Sequence, residues 1–291
     1  FRARERRVRP HRDDKILTSW NALMIVALAR GARVLGETRY ADAAERAVRF
    51  ILQKMRREDG RLLARYRDGE AAIPAYLDDY AFLAWGLMEL YEATLRIDYL
   101  RRAADLTREM IRLFGDKEEG GFFFYGSDGE KLLTRPKEIY DGATPSGNSV
   151  AAYNLIRLAR LLADPRLEKE AERQLTAFAG TIRQAPVAHT FFLTAVQFAL
   201  GPTWEIVVAG GPKQADTRQM LDVVGRLFLP EAVWVYRPEG PEATEVEKLI
   251  PYVREHRALG GKAAAYVCQN YACRAPVTNP EALREVLEKR E

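Results

Sequence analysis

Apolar and polar positions alternate along the chain with the period of an amphipathic α-helix, and the pattern recurs in three segments that align without gaps. A leucine marks the shared register of the segments at Leu28, Leu87 and Leu155, at intervals of 59 and 68 residues. The aligned segments read ALARGARVLGETRYADAAERAVRF, GLMELYEATLRIDYLRRAADLTREM and NLIRLARLLADPRLEKEAERQLTAF. The alignment predicts one structural unit that is used three times.

A short polar break divides each unit into two helices, at residues 36–38, 96–98 and 164–165. Because so short a connection makes the second helix run back along the first, each unit is predicted to be an αα-hairpin. One hairpin cannot bury both of its faces, so neighbouring hairpins have to stack. The pattern therefore predicts a mainly α fold, a partial (α/α) toroid with about seven helices in residues 14–200 and the first helix of each unit inside.

Two longer connections, residues 57–75 and 115–144, separate the units and carry Asp-Gly or Gly-Gly beside alternating apolar stretches. Each predicts a small β-hairpin, placed at the same end of successive units. Insertions that recur at one end of stacked repeats tend to build a binding face.

After residue 201 the pattern changes to short apolar runs, which predict strands at residues 204–209, 232–236 and 264–268. A helix is predicted at residues 216–228, and a last one begins at Pro280 with Asn279 as its cap. The chain is accordingly divided into a toroid at residues 1–202 and a small α/β segment at residues 203–291. Gly210 and Gly211 after the first strand form either a phosphate-binding turn or, as we favour without a nucleotide motif, a plain strand-to-helix turn.

The net charge of +4 comes from the first twelve residues, where six arginines face one glutamate and leave the rest of the chain slightly acidic. Nucleic-acid binding is not expected from such a distribution. No apolar run is long enough for a membrane span or a signal peptide, so we expect a cytoplasmic location. Because the chain opens with Phe1, it is expected to be cut from a longer protein, and its uncovered helix faces could make it a homodimer.

Cys268 and Cys273 are the two cysteines, and their spacing lacks the second pair that a structural zinc site needs. In a cytosolic protein the reduced state is favoured, with a disulfide as the alternative. Neither a metal nor a cofactor is predicted.

Acidic and aromatic residues gather where the first helix of each hairpin begins. If these helices ring one axis, their starts converge on a funnel, where carboxylates can act on a sugar and aromatic faces can stack on it. The candidate catalytic residues are Asp78, Asp79, Asp141 and Asp14. The candidate substrate-binding residues are Asp13, Trp20, Asn21, Tyr76, Tyr80, Ser146 and Asn148.

Each of these residues also has a structural interpretation. An aspartate at a helix start is a good cap, because it accepts first-turn N–H bonds at the favourable end of the dipole. Trp20 alone is more typical of a core than of a sugar platform. His189 is favoured as a buried, hydrogen-bonded histidine over a funnel residue.

Five strings in this order are specific enough to suggest a family: PHRDDKILTSWNALMI, YLDDYAF, GGFFFY, KEIYDGATPSGNS and AAYVCQNYACRAPV. Over nearly its whole length the chain resembles the carboxy-terminal part of the thioredoxin-domain-containing YyaL and spermatogenesis-associated protein 20 family. The resemblance implies a six-hairpin, glycosidase-like toroid that follows a thioredoxin-like domain absent here. Epimerases of the related fold rely on histidines, and this chain has His11, His189 and His256 alone, which speaks against an epimerase mechanism.

Three functions follow, in order of preference. The first is a carbohydrate-binding or carbohydrate-processing toroid with a sugar ligand and, if it is an enzyme, acid/base chemistry of a glycosidase or epimerase kind. The alternative is a non-enzymatic module that binds partners or substrates for the fused thioredoxin-like domain. The third is nucleotide handling by the α/β segment. A carboxylate pair facing one cavity would favour the first, whereas aspartates with every oxygen bonded to backbone would favour the second.

Overall fold

The computed structural model describes residues 1–130, 133–269 and 272–289. Its helices are α1 (Arg2–Glu5), α2 (Thr18–Leu35), α3 (Thr38–Lys54), α4 (Leu77–Thr94), α5 (Ile97–Phe114), α6 (Gly147–Leu162), α7 (Pro165–Gln184), α8 (Thr190–Leu200), α9 (Ala215–Arg226), α10 (Ala243–Leu249) and α11 (Pro280–Glu288). Its strands are β1 (Ile16–Leu17), β2 (Leu63–Arg67), β3 (Glu70–Pro74), β4 (Trp204–Gly210), β5 (Ala232–Pro238), β6 (Ala264–Gln269) and β7 (Ala272–Cys273). Two 3-10 turns, Pro186–Ala188 and Pro251–Glu255, complete the regular structure described.

Helices α2 to α7 form the three predicted hairpins, and each first helix ends in a residue with left-handed backbone conformation. Gly36 takes this position after α2 with φ 72°, and Leu95 and Ala163 take it after α4 and α6 with φ 61° and 49°. A left-handed residue stops the helix and turns the chain back, and glycine adopts this conformation at the least steric cost. The prediction of antiparallel helix pairs is confirmed.

The first helices form an inner layer and the second helices an outer layer. Nearly all of α4 and α6 is buried, whereas α3, α5 and α7 bury one face and expose the other. Leu87 and Leu155 are fully buried, and Leu28 packs against the same core. With α8 as a fourth inner helix, the predicted mainly α toroid with its first helices inside is confirmed in residues 14–130 and 133–200.

The first predicted β-hairpin is confirmed, since β2 and β3 pair antiparallel and β1 adds a third strand. The second is wrong for the described part of residues 115–144, where an isolated bridge joins Gly115 to Phe122; Lys131 and Leu132 lie outside the described residues. Asn148 supplies the physical reason. Its side chain accepts from the Phe122 N–H and donates to the Phe122 carbonyl, both at 2.9 Å, and so takes the place of a partner strand.

Beyond residue 203 lies a four-stranded sheet of order β5-β4-β6-β7, with β4 and β5 parallel and β6 antiparallel to β4. One face, including Val207, Val233 and Val235, joins the core of the helical layers. The other face packs in a separate core with α9 and α11. All three predicted strands and both helices are confirmed, as is the Asn279 cap, which accepts from the Ala282 N–H at 2.7 Å.

Cys268 and Cys273 form a disulfide, so the expectation of reduced cysteines is wrong for this structure. The register of β6 and β7 explains the pairing, because it sets the two residues directly opposite each other. Cys268 is buried and Cys273 is exposed.

Helix α2 carries an uncovered apolar face. Trp20, Met24, Val34 and Leu35 are 66%, 58%, 49% and 66% exposed, and their spacing places them on one side of the helix. The sequence analysis expected uncovered helix faces of this kind, and the dimer formation inferred from them stays a prediction. In the part of the chain that the structure describes, no helix combines the length and apolarity that a membrane crossing needs.

Candidate functional site

The starts of the inner helices lie at one end of the toroid, and carboxylates connect neighbouring starts. Asp79 of α4 accepts from the Ser19 N–H in the first turn of α2 and from the Tyr76 N–H, each at 2.8 Å and each with a different oxygen. Both oxygens of this carboxylate are therefore bonded to backbone. Burial raises its pKa to about 7, against the lowering effect of the two N–H groups.

The next connection runs from α4 to α6. The Asp78 carboxylate lies beside the Gly147 N–H in the first turn of α6, and this backbone group favours the charged form of the carboxylate. A Cβ at residue 147 would lie 2.3 Å from Asp78 Oδ1, so glycine is what allows this close approach. Burial and the negative charge of Glu138 raise the pKa of Asp78 to about 6.

Asp141 connects α6 to α8. Its Oδ1 accepts from the Ser146 N–H at 2.9 Å, and its Oδ2 accepts from the Phe191 and Phe192 N–H groups at 2.8 and 3.1 Å. Asp141 and Asp79 thus have every carboxylate oxygen bonded to backbone. Carboxylates whose oxygens are all bonded to backbone favour a structural role over a catalytic one.

The remaining acidic and aromatic candidates at α2 are not brought together with these three aspartates. Asp13 and Asp14 are exposed and pair with Lys15 and Arg67, and Trp20 lies on the uncovered face of α2. Asn21 donates to the Leu17 carbonyl at 2.8 Å, which is a contact within its own helix start.

Four further candidates hold local structure. The Tyr76 ring stacks on Phe124 at 4.9 Å, and the buried Tyr80 hydroxyl donates to Glu109 at 2.8 Å. Ser146 caps α6, and Asn148 is fully buried in the backbone pairing described above. Buried His189 lies with Nδ1 2.9 Å from a backbone carbonyl, which confirms it as a satisfied histidine.

A cavity of about 590 Å³ opens at the other end of the inner helices, near their carboxyl ends. Its volume is in the range of small-molecule sites. An aromatic wall of Trp85, Tyr153 and Phe191 lines it, with ring centroids 5.0 to 6.2 Å apart and edge-to-face geometry. The cavity combines this apolar surface with a cluster of charged side chains.

Three arginines and two glutamates from three inner helices form this charged cluster. Glu89 Oε1 accepts from Arg30 Nη2 at 2.9 Å, from Arg157 Nη1 at 2.7 Å and from the Trp85 indole at 3.0 Å. Glu92 accepts from Arg157 Nη2 at 2.5 Å and pairs with Arg33. The cluster has one surplus positive charge.

Glu89 is ionised in this cluster. Burial alone would raise its pKa, but the positive charges of Arg157, Arg30 and Arg33 hold the pKa well below the usual range. Arg30 is the most accessible member, with 44% of its side chain exposed, whereas the side chains of Glu89 and Arg157 are almost fully buried.

The cluster was not predicted from the sequence, although the repeat contains a pattern that indicates it. Arg30, Glu89 and Arg157 each follow the register leucine by two residues, so they occupy one equivalent position of the three inner helices. Trp85 and Tyr153 precede that leucine by two residues in their own repeats. Charged residues at a core-facing register position were the available sign of a buried cluster.

The cavity lies between the carboxyl ends of the inner helices and residues 224–234 of the α/β segment. The stacked hairpins place the chain in the class of (α/α) toroids of the six-hairpin glycosidase and epimerase type. A solved member with this fold is a family 76 glycoside hydrolase (mannosidase) from Bacteroides thetaiotaomicron, with TM-score 0.50 and 15% identity over 64% of this chain and 53% of that one. No protein-family model matches the chain.

Over 99% of its length the chain is similar to spermatogenesis-associated protein 20 of Homo sapiens, with 33% identity, and the match covers 38% of that protein. An uncharacterised protein of Caenorhabditis elegans is 28% identical over the same share of the chain, which corresponds to 40% of its length. The chain therefore spans about two-fifths of the relatives that it matches.

Proposed function

We propose that the chain is a carbohydrate-binding toroid domain whose ligand occupies the cavity at the carboxyl ends of the inner helices. The observation that carries the proposal is the meeting of an aromatic wall with hydrogen-bonding charged groups in one cavity of about 590 Å³. Sugar rings present apolar C–H faces that pack on aromatic rings, and their hydroxyls bond to carboxylates and guanidinium groups. The fold that the chain shares with a mannosidase agrees with this ligand class.

The charge balance narrows the ligand class. Four arginines and three glutamates line the cavity, since Arg226 and Glu231 join the charged cluster there, and one positive charge is left over. Arg30 has guanidinium N–H groups beyond the one that bonds to Glu89. A guanidinium binds a carboxylate or phosphate more strongly than a neutral hydroxyl. A sugar that carries an anionic group should therefore bind more tightly than its neutral counterpart.

At this cavity we propose binding rather than acid catalysis. A general acid that works at neutral pH needs a raised pKa, and the pKa of Glu89 is lowered by its three arginines. Acid/base chemistry, if the domain is an enzyme, has better candidates in Asp78 and Asp79 with pKa values of about 6 and 7. Because both carboxylates lie against backbone N–H groups of helix starts, catalysis by them is less well supported than ligand binding in the cavity.

Calorimetric titration of the chain with a neutral hexose, the matching uronic acid and the matching sugar phosphate tests the proposal. We expect the anionic sugars to bind, and the Arg30→Gln variant to lose at least about tenfold in affinity, since one charge-assisted bond is worth ~1.5–3 kcal/mol. Arg108→Gln is the matched control, because Arg108 lies on outer helix α5 and pairs with Asp105. The proposal is wrong if no sugar binds, or if both variants bind as the wild type does.

The second candidate is a non-enzymatic module that binds a partner, such as a fused thioredoxin-like domain. The observations that favour it are the bonded oxygens of Asp79 and Asp141 and the exposed apolar face of α2. Replacing Trp20 and Met24 together by Ser should abolish association with the remaining region of a full-length relative, or self-association in light scattering. Association that is unchanged in this double variant would remove the α2 face from consideration.

A further inference from the structure

Three metal-binding side chains converge in the α/β segment, and none of them lines the cavity described above. A ring nitrogen of His256 and the sulfurs of Cys268 and Cys273 all lie within 4.8 Å of one another. Thiolate sulfur and imidazole nitrogen are the ligands that zinc and similar thiophilic divalent cations prefer in proteins.

The backbone holds the two sulfurs together independently of the disulfide. Cys268 lies opposite Cys273 in the β6–β7 register and opposite Glu205 in the pairing of β6 with β4. Because strand pairing fixes these positions, opening of the S–S bond leaves both thiols facing the same place. Small side-chain rotations then suffice to separate the sulfurs around an ion.

The ring of His256 is also held in place by groups other than the cysteines. It makes edge contacts with Tyr252 and Tyr266, at centroid distances of 6.2 and 4.6 Å. The Tyr266 hydroxyl is itself bonded to both backbone groups of Arg257. The ring therefore keeps its position when the disulfide opens.

Hydrogen bonding sets the tautomer of this histidine. Nδ1 of His256 lies 3.2 Å from the Tyr252 carbonyl oxygen, which can only accept, so Nδ1 carries the proton. Nε2 is left with a free lone pair. A histidine that donates from one ring nitrogen to a carbonyl and offers the other to a metal is the common arrangement in metal sites.

We propose that reduction of the disulfide creates a site for one thiophilic divalent cation, such as Zn²⁺, with His256, Cys268 and Cys273 as its ligands. A dithiol reductant supplies two electrons and two protons, its own thiols become a disulfide, and the S–S bond opens to two thiols. The cation then displaces both thiol protons, and the two thiolates balance its charge. Three protein ligands leave a fourth coordination position open.

The site exists in only one redox state. A disulfide sulfur carries no negative charge and is not a thiolate ligand, so the oxidised chain should not bind the ion. Oxidation would release it, and an occupied site would protect both thiols. The segment is thereby assigned a redox-dependent metal site.

Co²⁺ titration of the chain reduced with a phosphine tests this, since thiolate-bound Co²⁺ absorbs in the near ultraviolet and visible. We expect one Co²⁺ per reduced chain, displaced by Zn²⁺, and none per oxidised chain. Cys273→Ser, at an exposed position, should weaken binding by at least about 100-fold, more than the ~10–100-fold that loss of an outer partner costs. His256→Gln should weaken binding and change the spectrum, while His11→Gln, at an exposed histidine, should do neither.

Circular dichroism of each variant checks that the fold is retained, and thermal unfolding adds a second readout. Zn²⁺ should raise the Tm of the reduced wild type and leave that of the oxidised chain unchanged. The proposal is overturned if the reduced wild type takes up no stoichiometric Co²⁺, or if the oxidised chain binds it equally well. A His256→Gln spectrum identical to that of the wild type would remove His256 from the site and overturn the three-ligand assignment.

Discussion

The Asp141→Ala substitution tests whether the aspartates at the helix starts are caps. Asp141 is the acceptor for three backbone N–H groups, those of Ser146, Phe191 and Phe192, which belong to the starts of two different helices. Alanine leaves all three donors without this acceptor. Ser146 and Phe192 are buried, so water cannot freely replace the lost carboxylate.

The expected cost is worked out from these contacts. Loss of one cap costs ~0.5–2 kcal/mol, and a hydrogen bond to a charged group contributes ~1.5–3 kcal/mol. Since Asp141 serves two helices, Asp141→Ala should lower the free energy of unfolding by about 2–4 kcal/mol. Asp141→Asn keeps one oxygen and turns an N–H donor toward the other helix start, so about half of that loss is expected.

Urea unfolding followed by circular dichroism measures both variants beside Asp105→Ala, a control at an exposed aspartate of outer helix α5 that should change the stability by less than about 0.5 kcal/mol. Sugar binding is measured in the same samples under folding conditions. If Asp141→Ala keeps full stability while sugar binding is lost, Asp141 is a site residue and the capping assignment is wrong. Loss of stability with unchanged binding supports the cap.

Three further outcomes are expected. The pKa of Asp79 is raised from 3.8 to about 7, so between these pH values the folded chain keeps a proton that the unfolded chain releases, and the free energy of unfolding falls as pH rises. In urea titrations at several pH values, Asp79→Asn should reduce this slope by up to ~1.4 kcal/mol per pH unit. Gly147→Ala should lower the Tm by several degrees in calorimetry, because its Cβ would lie 2.3 Å from Asp78 Oδ1. Arg157→Met should cost ~3–5 kcal/mol in urea unfolding, since it leaves two buried glutamates short of a partner, and a loss under about 1 kcal/mol would show that the cluster is not desolvated.

The layered fold could be predicted because it follows from two patterns that the sequence shows directly, the helical spacing of apolar residues and the repeat of the hairpin unit. Residues three and four apart set the buried face of each helix, and the ungapped register of Leu28, Leu87 and Leu155 shows that the units are equivalent. The strands after residue 203 follow from short β-branched runs between turn signals. These features need no knowledge of distant contacts.

Features that depend on distant partners were not predictable in the same way. The 115–144 connection lacks its expected hairpin because Asn148 pairs with the Phe122 backbone from 26 residues away. The disulfide depends on the register between two strands, which the spacing of the cysteines leaves open. For the carboxylates, Asp79 finds one of its donors 60 residues away, at Ser19.

Ring geometry accounts for the acidic residues that recur at the helix starts. Helix starts that converge at one end of a toroid bring together partial positive charges and unpaired N–H groups. A carboxylate shared between two neighbouring starts offsets both, as Asp79 does for α2 and α4 and Asp141 for α6 and α8. Recurrence of Asp at these positions is therefore expected of the architecture, whether or not the domain binds a ligand.

The charged cluster at the opposite end departs from the same rule. The carboxyl end of a helix disfavours negative charge, yet Glu89 and Glu92 lie in the last two turns of α4 and are buried there. Arg157 and its neighbours offset that cost, but an apolar set of residues would fill the space without incurring it. Residues that are locally unfavourable and need partners to offset their cost, as these glutamates do, are concentrated at functional sites. The helix dipole stabilises the aspartates at the helix starts and destabilises the glutamates near the carboxyl end of α4. Because the glutamates are kept at this unfavourable position, the cavity beside Glu89 is the stronger candidate for ligand binding.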